Sequence, residues 1–278
     1  MALDRILFGT AGVPNGTEKK NSPVDGVKKI HEIGLDCMQL EFAHGVRMKE
    51  EVSSNLRKVS YELNIPLTSH GPYYINLNAR EQDKIDSSVE RIIQTAKISD
   101  LCGAESMTFH AAFYMKDSPY DVFDLVEKSL NVIEERLNRL DIEIELRPEL
   151  TGKTSQFGSL EELISLAKSV GSCRPCMDFS HLYARTGKYN TYEEFNEVLN
   201  ILSNELGRES LDNMHIHISG VSSNSKGDLK HLNLEKSDFN WKDLIRSLKD
   251  NNCKGYMISN SPNLEADALM LKEYYLSC

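Results

Sequence analysis

No apolar run in this sequence approaches the roughly 20 residues that a membrane-spanning helix needs, and 40% hydrophobic with 27% charged residues is the balance of a water-soluble globular chain. The first residues, MALDRILFGTAG, show neither a basic stretch followed by a long apolar core nor a small-residue cleavage site, so a reducing cytoplasm is the expected compartment. Cysteine is sparse and scattered. Cys37, Cys102, Cys173, Cys176, Cys253 and Cys278 do not make the close framework of a disulfide-stapled domain. Cys173 and Cys176 have no second pair at zinc-ribbon spacing and run into a strand-like segment, so a structural role is expected for both. Positive charge is also short: 32 Lys and Arg against 42 Asp and Glu leave a net charge of −10. That argues against loose electrostatic binding of nucleic acid, although bound divalent cations would reverse the local sign where a phosphate sits. No Gly-x-Gly-x-x-Gly or Walker-type loop follows a strand-like segment, which removes support for nucleotide binding on an open doubly wound sheet.

What the chain does have is alternation. Strand-like segments run from Arg5 to Gly9, Cys37 to Glu41, Pro66 to His70, Ser106 to His110, Ile142 to Arg147, Pro175 to Phe179, Asn213 to Ser219 and Gly255 to Ser259. Between them lie stretches with Leu, Ile, Val and Ala at helical spacing, such as Ser88 to Leu101, Val122 to Leu140, Leu160 to Val170, Tyr192 to Leu206 and Trp241 to Lys249, and Leu264 to Tyr275 closes the chain. Strands separated by helices imply parallel pairing, because only a crossover returns the chain in the same direction. Eight such units in 278 residues predict an α/β fold, a (β/α)8 TIM barrel formed by residues 1–278 as one domain. Gly220 to Lys230, rich in Ser, Asn and Gly, reads as a long flexible loop after the seventh strand.

Active sites of such barrels gather at the C-terminal ends of the strands. There the sequence places His70, His110, Glu149, Asp178 and His217, with His181, Asp228 and His231 just beyond. One histidine at a strand end is usually a hydrogen-bonded structural residue. With His215 on the seventh strand, six of the eight histidines in such places, with three carboxylates, instead predict a metal cluster of two or three divalent ions, since neutral imidazole and carboxylate suit zinc, manganese or iron. His31 falls in a helix-like stretch and reads as structural, and His44 is left open.

The segments His70-Gly-Pro-Tyr-Tyr-Ile-Asn-Leu, Phe109-His110, Glu149-Leu-Thr-Gly, Asp178-Phe-Ser-His181, His217-Ile-Ser and Asp228-Leu-Lys-His231 resemble, in order, the motifs of the endonuclease IV family of abasic-site endonucleases, most closely its archaeal branch. The resemblance implies three zinc-type sites: His70, His110 and Glu149 for one ion, Glu149, Asp178 and His217 for a second, and His181, Asp228 and His231 for a third. His215 competes with His217 for its place; His217 is preferred because it lies nearer the strand end. The resemblance further implies hydrolysis of the phosphodiester 5′ of an abasic sugar in double-stranded DNA, leaving a 3′-hydroxyl, by a monomeric enzyme.

Catalysis is expected to turn on Glu149 and on Asn260, which stands where the family has a glutamate. An amide oxygen carries no charge, so the second ion should be held more weakly unless another carboxylate, such as Glu41, completes the site. Tyr73 and Tyr74 are candidates to wedge or stack at the missing base. Lys153, Arg185 and Lys188, read as loop residues, are candidate phosphate contacts. Two alternatives stand beside this reading: a single-metal sugar isomerase or epimerase of the same barrel class, using Glu149, Asp178, His217 and Asn260, and a catalytically silent relative.

Overall fold

The computed structural model describes residues 3–223 and 229–278. Strands and helices follow one another as β1 (Ile6–Ala11), α1 (Pro23–Glu32), β2 (Cys37–Glu41), α2 (Glu50–Leu63), β3 (Leu67–His70), α3 (Gln82–Cys102), β4 (Ala104–Phe109), α4 (Pro119–Arg139), β5 (Glu145–Pro148) and α5 (Leu160–Ser169). They continue as β6 (Cys176–Asp178), α6 (Phe179–Thr186), α7 (Tyr192–Leu206), the single turn α8 (Glu209–Asp212), β7 (Met214–Ile218), β8 (Gly220–Ser223), β9 (Leu229–Leu232), α9 (Trp241–Asp250), β10 (Gly255–Ser259) and α10 (Glu265–Ser277). Local chemistry starts and stops the helices. Ser22 and Ser118 accept the backbone N–H of Asp25 and Asp121, each just ahead of a proline in the first turn. Ser159 with Glu162, and Thr191 with Glu194, form reciprocal capping boxes. Helix α3 ends on Gly103 at a φ of 76°, a left-handed turn that glycine adopts without steric cost.

The parallel sheet is ordered β5-β4-β3-β2-β1-β10-β7-β6. Its two ends meet through the isolated parallel bridges Leu146–Cys173 and Glu149–Cys176, giving a nearly closed (β/α)8 barrel. An apolar layer between strands and helices, with Phe8, Met38, Leu40, Leu67, Met107 and Ile216 facing helical residues such as Val27, Ile30, Leu56 and Ile92, forms the main core. At roughly 1.5–3 kcal/mol per large buried side chain, this layer leaves the barrel interior free to be polar. A smaller apolar cluster of Cys37, Tyr256 and Ile258, with Leu7 and Ala11 packed against it, takes part of the interior. Side chains two apart share a strand face, so Gln39 and Glu41 stand above Cys37, and Asn260 stands above Tyr256 and Ile258.

Two local expectations change. Part of the stretch from Gly220 to Lys230 is the start of a hairpin: β8 pairs antiparallel with β9, with Gly220 opposite Leu232 and Val221 opposite His231. Asp228 falls outside the described residues. Phe179, assigned to the sixth strand, instead opens α6 directly, because Asp178 caps that helix with its own side chain. Arg185 therefore lies in the last turn of a helix and not in a loop.

Candidate metal centre

The top of the barrel interior is a ring of strand-end side chains centred on Glu149. Glu149 Oε2 lies 3.1 Å from His70 Nε2, 3.4 Å from His110 Nε2 and 3.3 Å from His217 Nδ1, while Oε1 lies 3.4 Å from His181 Nδ1. The loop after β5 can pass behind it because Gly158, at a φ of 121°, lets the chain approach; a Cβ there would stand 2.6 Å from the Glu149 carbonyl oxygen.

Neighbouring groups fix each ring. His70 Nδ1 donates to the Gly71 carbonyl at 2.6 Å, which turns Nε2 toward Glu149. His181 Nδ1 donates to the Leu150 carbonyl at 2.9 Å. His217 Nε2 donates to Gln39 Oε1 at 2.8 Å, which leaves Nδ1 as the nitrogen facing the carboxylates. Asp178 divides its two oxygens: Oδ1 accepts the His181 backbone N–H at 2.7 Å and so begins α6, while Oδ2 is buried without a hydrogen bond, 3.4 Å from His181 Nδ1. His217 Nδ1 is likewise buried without a hydrogen bond, its approach to Glu149 having the distance but not the geometry of one.

Two orphaned buried atoms beside a shared carboxylate are costly in isolation and favourable around a cation. Their donor atoms form compact groups: His70, His110 and Glu149 lie mutually within 4.8 Å, and so do Glu149, Asp178 and His217. The residues therefore fit a metal centre. Burial alone would raise the Glu149 pKa, but the imidazoles of His217 and His110 outweigh it and hold the carboxyl well below its usual range. Burial opposes charge on His181, and Asp178 and Glu149 overcome this, pushing its pKa up to about 9.

His215 and His217 both face the barrel interior, two residues apart. His217 reaches Glu149, whereas His215 lies one layer lower with both nitrogens engaged, Nδ1 at 3.1 Å from Ser106 Oγ and Nε2 at 3.0 Å from Gln39 Oε1. Burial and the neighbouring His217 charge keep it well below the usual histidine pKa. His231, on β9, donates from Nδ1 to the Asn260 carbonyl at 3.1 Å, and its ring centroid is 5.7 Å from that of His181. Among the described residues neither belongs to a compact donor group; the third such group is Cys176, His215 and His217.

A cavity of about 560 Å³ opens onto the ring, with Tyr73, Lys153, Glu41 and Asn260 on its walls beside His70, His110, Glu149, His181 and His231. Tyr73 is half-exposed, with its ring 5.0 Å from that of His70. Tyr74 does not line this cavity. Its ring lies under the Arg91 guanidinium, 4.7 Å from its centroid. Arg185 spends its donors on the loop after β5, reaching the carbonyls of Thr151, Lys153 and Gln156 and Thr151 Oγ1, and on the Tyr114 hydroxyl between β4 and α4, so it braces these loops instead of presenting a cation to a phosphate. Lys188 is exposed beyond α6 and is not among the residues lining the cavity. The ligand set drawn from the sequence did not include Gln39, although its two-residue spacing from Glu41 puts it on the same inner face.

This chain belongs to the xylose isomerase-like TIM barrel family, whose model matches residues 27–274. Among its sequence relatives, an uncharacterized protein of Methanocaldococcus jannaschii is 40% identical over 271 residues, 97% of each chain. A probable endonuclease 4 of Aster yellows witches'-broom phytoplasma is 24% identical over 184 residues; that match covers 65% of this chain and 62% of the relative, less than two thirds of its length. Two solved structures share the fold: endonuclease IV from Thermus thermophilus, with a TM-score of 0.73 at 21% identity over 96% of this chain and 99% of that one, and a D-tagatose 3-epimerase-like protein, with 0.72 at 18% identity over 96% and 97%. No helix among the described residues is long and apolar enough to cross a membrane.

Proposed function

We propose that this chain is a metal-dependent DNA-repair endonuclease, acting as a cytoplasmic monomer, that cuts the phosphodiester 5′ of an abasic site in double-stranded DNA and leaves a 3′-hydroxyl. The observation that carries the reading is the ring around Glu149, in which His70 and His110 on one side and the orphaned Asp178 Oδ2 and His217 Nδ1 on the other form two donor groups sharing one carboxylate. Relatives named endonuclease 4 supply the reaction class.

Zinc, or manganese or iron, held by these groups would supply Lewis acidity toward a phosphodiester and lower the pKa of attacking water. His181 and His231 would serve a third ion with Asp228. The chain's own part is placement. Gly71, Leu150 and Gln39 hold three imidazoles in fixed orientation, and Tyr73 stands at the mouth beside His70, where a nucleotide without a base leaves a gap. Extruding such a nucleotide breaks no base pair, so selectivity follows from low deformation cost.

The test is a duplex carrying one abasic-site analogue, incubated with protein purified without chelator. The expected product is a nick on the 5′ side with a 3′-hydroxyl, abolished by prolonged chelation. A β-elimination product would reject the chemistry. Conversion of a free ketose without nicking would favour a single-metal epimerase, a reading that uses Glu149, Asp178 and His217 but leaves His70 and His110 without a task.

A further inference from the structure

We infer that Glu41 is an outer carboxylate of the metal centre, supplying from β2 the negative charge that Asn260, across the same cavity, does not. The inference rests on the centre being a metal site, and it starts from position. Going round the barrel, the last residue of β3 is His70, with His110 and Glu149 just beyond β4 and β5, Asp178 ending β6, His217 near the end of β7, and Asn260 just beyond β10. Glu41 ends β2, paired in register with His70. Among the described residues lining the cavity, the carboxylates are Glu41 and Glu149.

One side chain ties Glu41 to the ligands. The Gln39 amide donates from Nε2 to Glu41 Oε1 at 2.8 Å, while its Oε1 accepts from His217 Nε2 at 2.8 Å. The amide that selects the His217 tautomer therefore also orients Glu41. Charge gives the arrangement a purpose. Two divalent ions bring four positive charges, and the two donor groups offset two of them through Glu149 and Asp178. In a buried site the remainder is expensive to leave uncompensated. Asn260 adds nothing to that balance, and Glu41 adds one unit. It stands outside the compact donor groups, so with an ion bound its charge would act at one remove, through Gln39, as outer partners of metal sites commonly do.

The experiment is calorimetric titration with Zn2+ of the chelator-stripped full chain, in four forms: wild type, Glu41→Gln, Asn260→Glu and the double variant. Glu41→Gln keeps shape and the bond to Gln39 while removing charge, and should weaken zinc binding about 10- to 100-fold. Asn260→Glu should restore most of that loss when added to Glu41→Gln and gain less in the wild type, because the two positions serve one charge. Wild-type affinity in Glu41→Gln, or an equal gain from Asn260→Glu in both backgrounds, overturns the inference. Glu41→Asp guards against a folding artefact: it should retain most of the affinity, and a loss equal to that of Glu41→Gln overturns the role of charge. If the wild type itself takes up no zinc, the metal reading fails, a result distinct from wild-type uptake that is indifferent to Glu41.

Discussion

Asp36 and Asp178 sit at opposite ends of the barrel and are treated in opposite ways. Asp36, just before β2, is saturated: Oδ1 accepts from Arg5 Nη2 at 2.9 Å and Lys272 Nζ at 2.7 Å, and Oδ2 accepts from Arg5 Nη1 at 3.2 Å and the Phe8 N–H at 3.1 Å. Asp178, at the end of β6, uses one oxygen as a helix cap and leaves the other buried without a hydrogen bond. The contrast recurs within β7, where His215 has partners on both nitrogens and His217, two residues on, has one nitrogen without. Asp36 and His215 spend their polar atoms on the fold. Asp178 and His217 each hold one back, and those are the atoms available to a ligand.

The sharpest test of this division is a reversal of effects. Asp178→Asn keeps an oxygen for the α6 cap but loses the bare anionic one, and should cost about 100-fold or more in zinc affinity, the upper end of what even an outer partner costs. The melting temperature of the chelated protein should hardly move. His215→Ala should do the opposite, losing about 2–4 kcal/mol of stability from a cavity and from the stranded Ser106 and Gln39 groups, with a far smaller change in zinc binding. Zinc titration and urea denaturation of both variants decide; parallel losses in both measurements would erase the distinction between the layers.

A smaller effect is expected at the saturated end. Arg5 and Lys272 outweigh the burial that would otherwise raise Asp36, so its carboxyl titrates below the usual value. A depressed carboxylate contributes stability that is present above its unfolded pKa and disappears as pH falls through its folded pKa. Asp36→Asn should therefore cost about 1 kcal/mol at pH 7, modest because the cluster is partly solvated. Wild type and variant should converge once acid has protonated Asp36. A gap that persists or widens in acid would show that the cluster works by shape and not by charge.

The barrel was legible because hydrophobic period and strand spacing are local properties: β2 and β10 coincide with the segments read from Cys37 to Glu41 and Gly255 to Ser259. Strand-end histidines were legible because this architecture funnels such positions to one place. Less visible were features that depend on pairing across the molecule. The hairpin of β8 and β9 needed its register, and α6 was hidden because its cap is also a candidate ligand, leaving no linker between strand and helix. Arg185 looked like a phosphate contact until the loop after β5 supplied its acceptors. Gln39 was readable in principle from its place between Cys37 and Glu41, but no local pattern tells an inward glutamine that it will meet two histidines on β7.

The ring of strands has a seam. Neighbouring strands elsewhere share ladders, β1 and β10 over five residues and β3 and β4 with one register shift, but β5 and β6 are joined by two isolated bridges, with Leu150 N–H to the Cys176 carbonyl at 3.0 Å among their bonds. Glu149 and Asp178 stand on the two lips of that seam. An ion held between them would work as a clasp on the joint with the fewest stitches, binding only the closed form and so adding its affinity to closure. Amide exchange would register it: zinc should slow exchange at Leu150 more than at Met257 on β10, and uniform slowing would mean that the barrel tightens as one body.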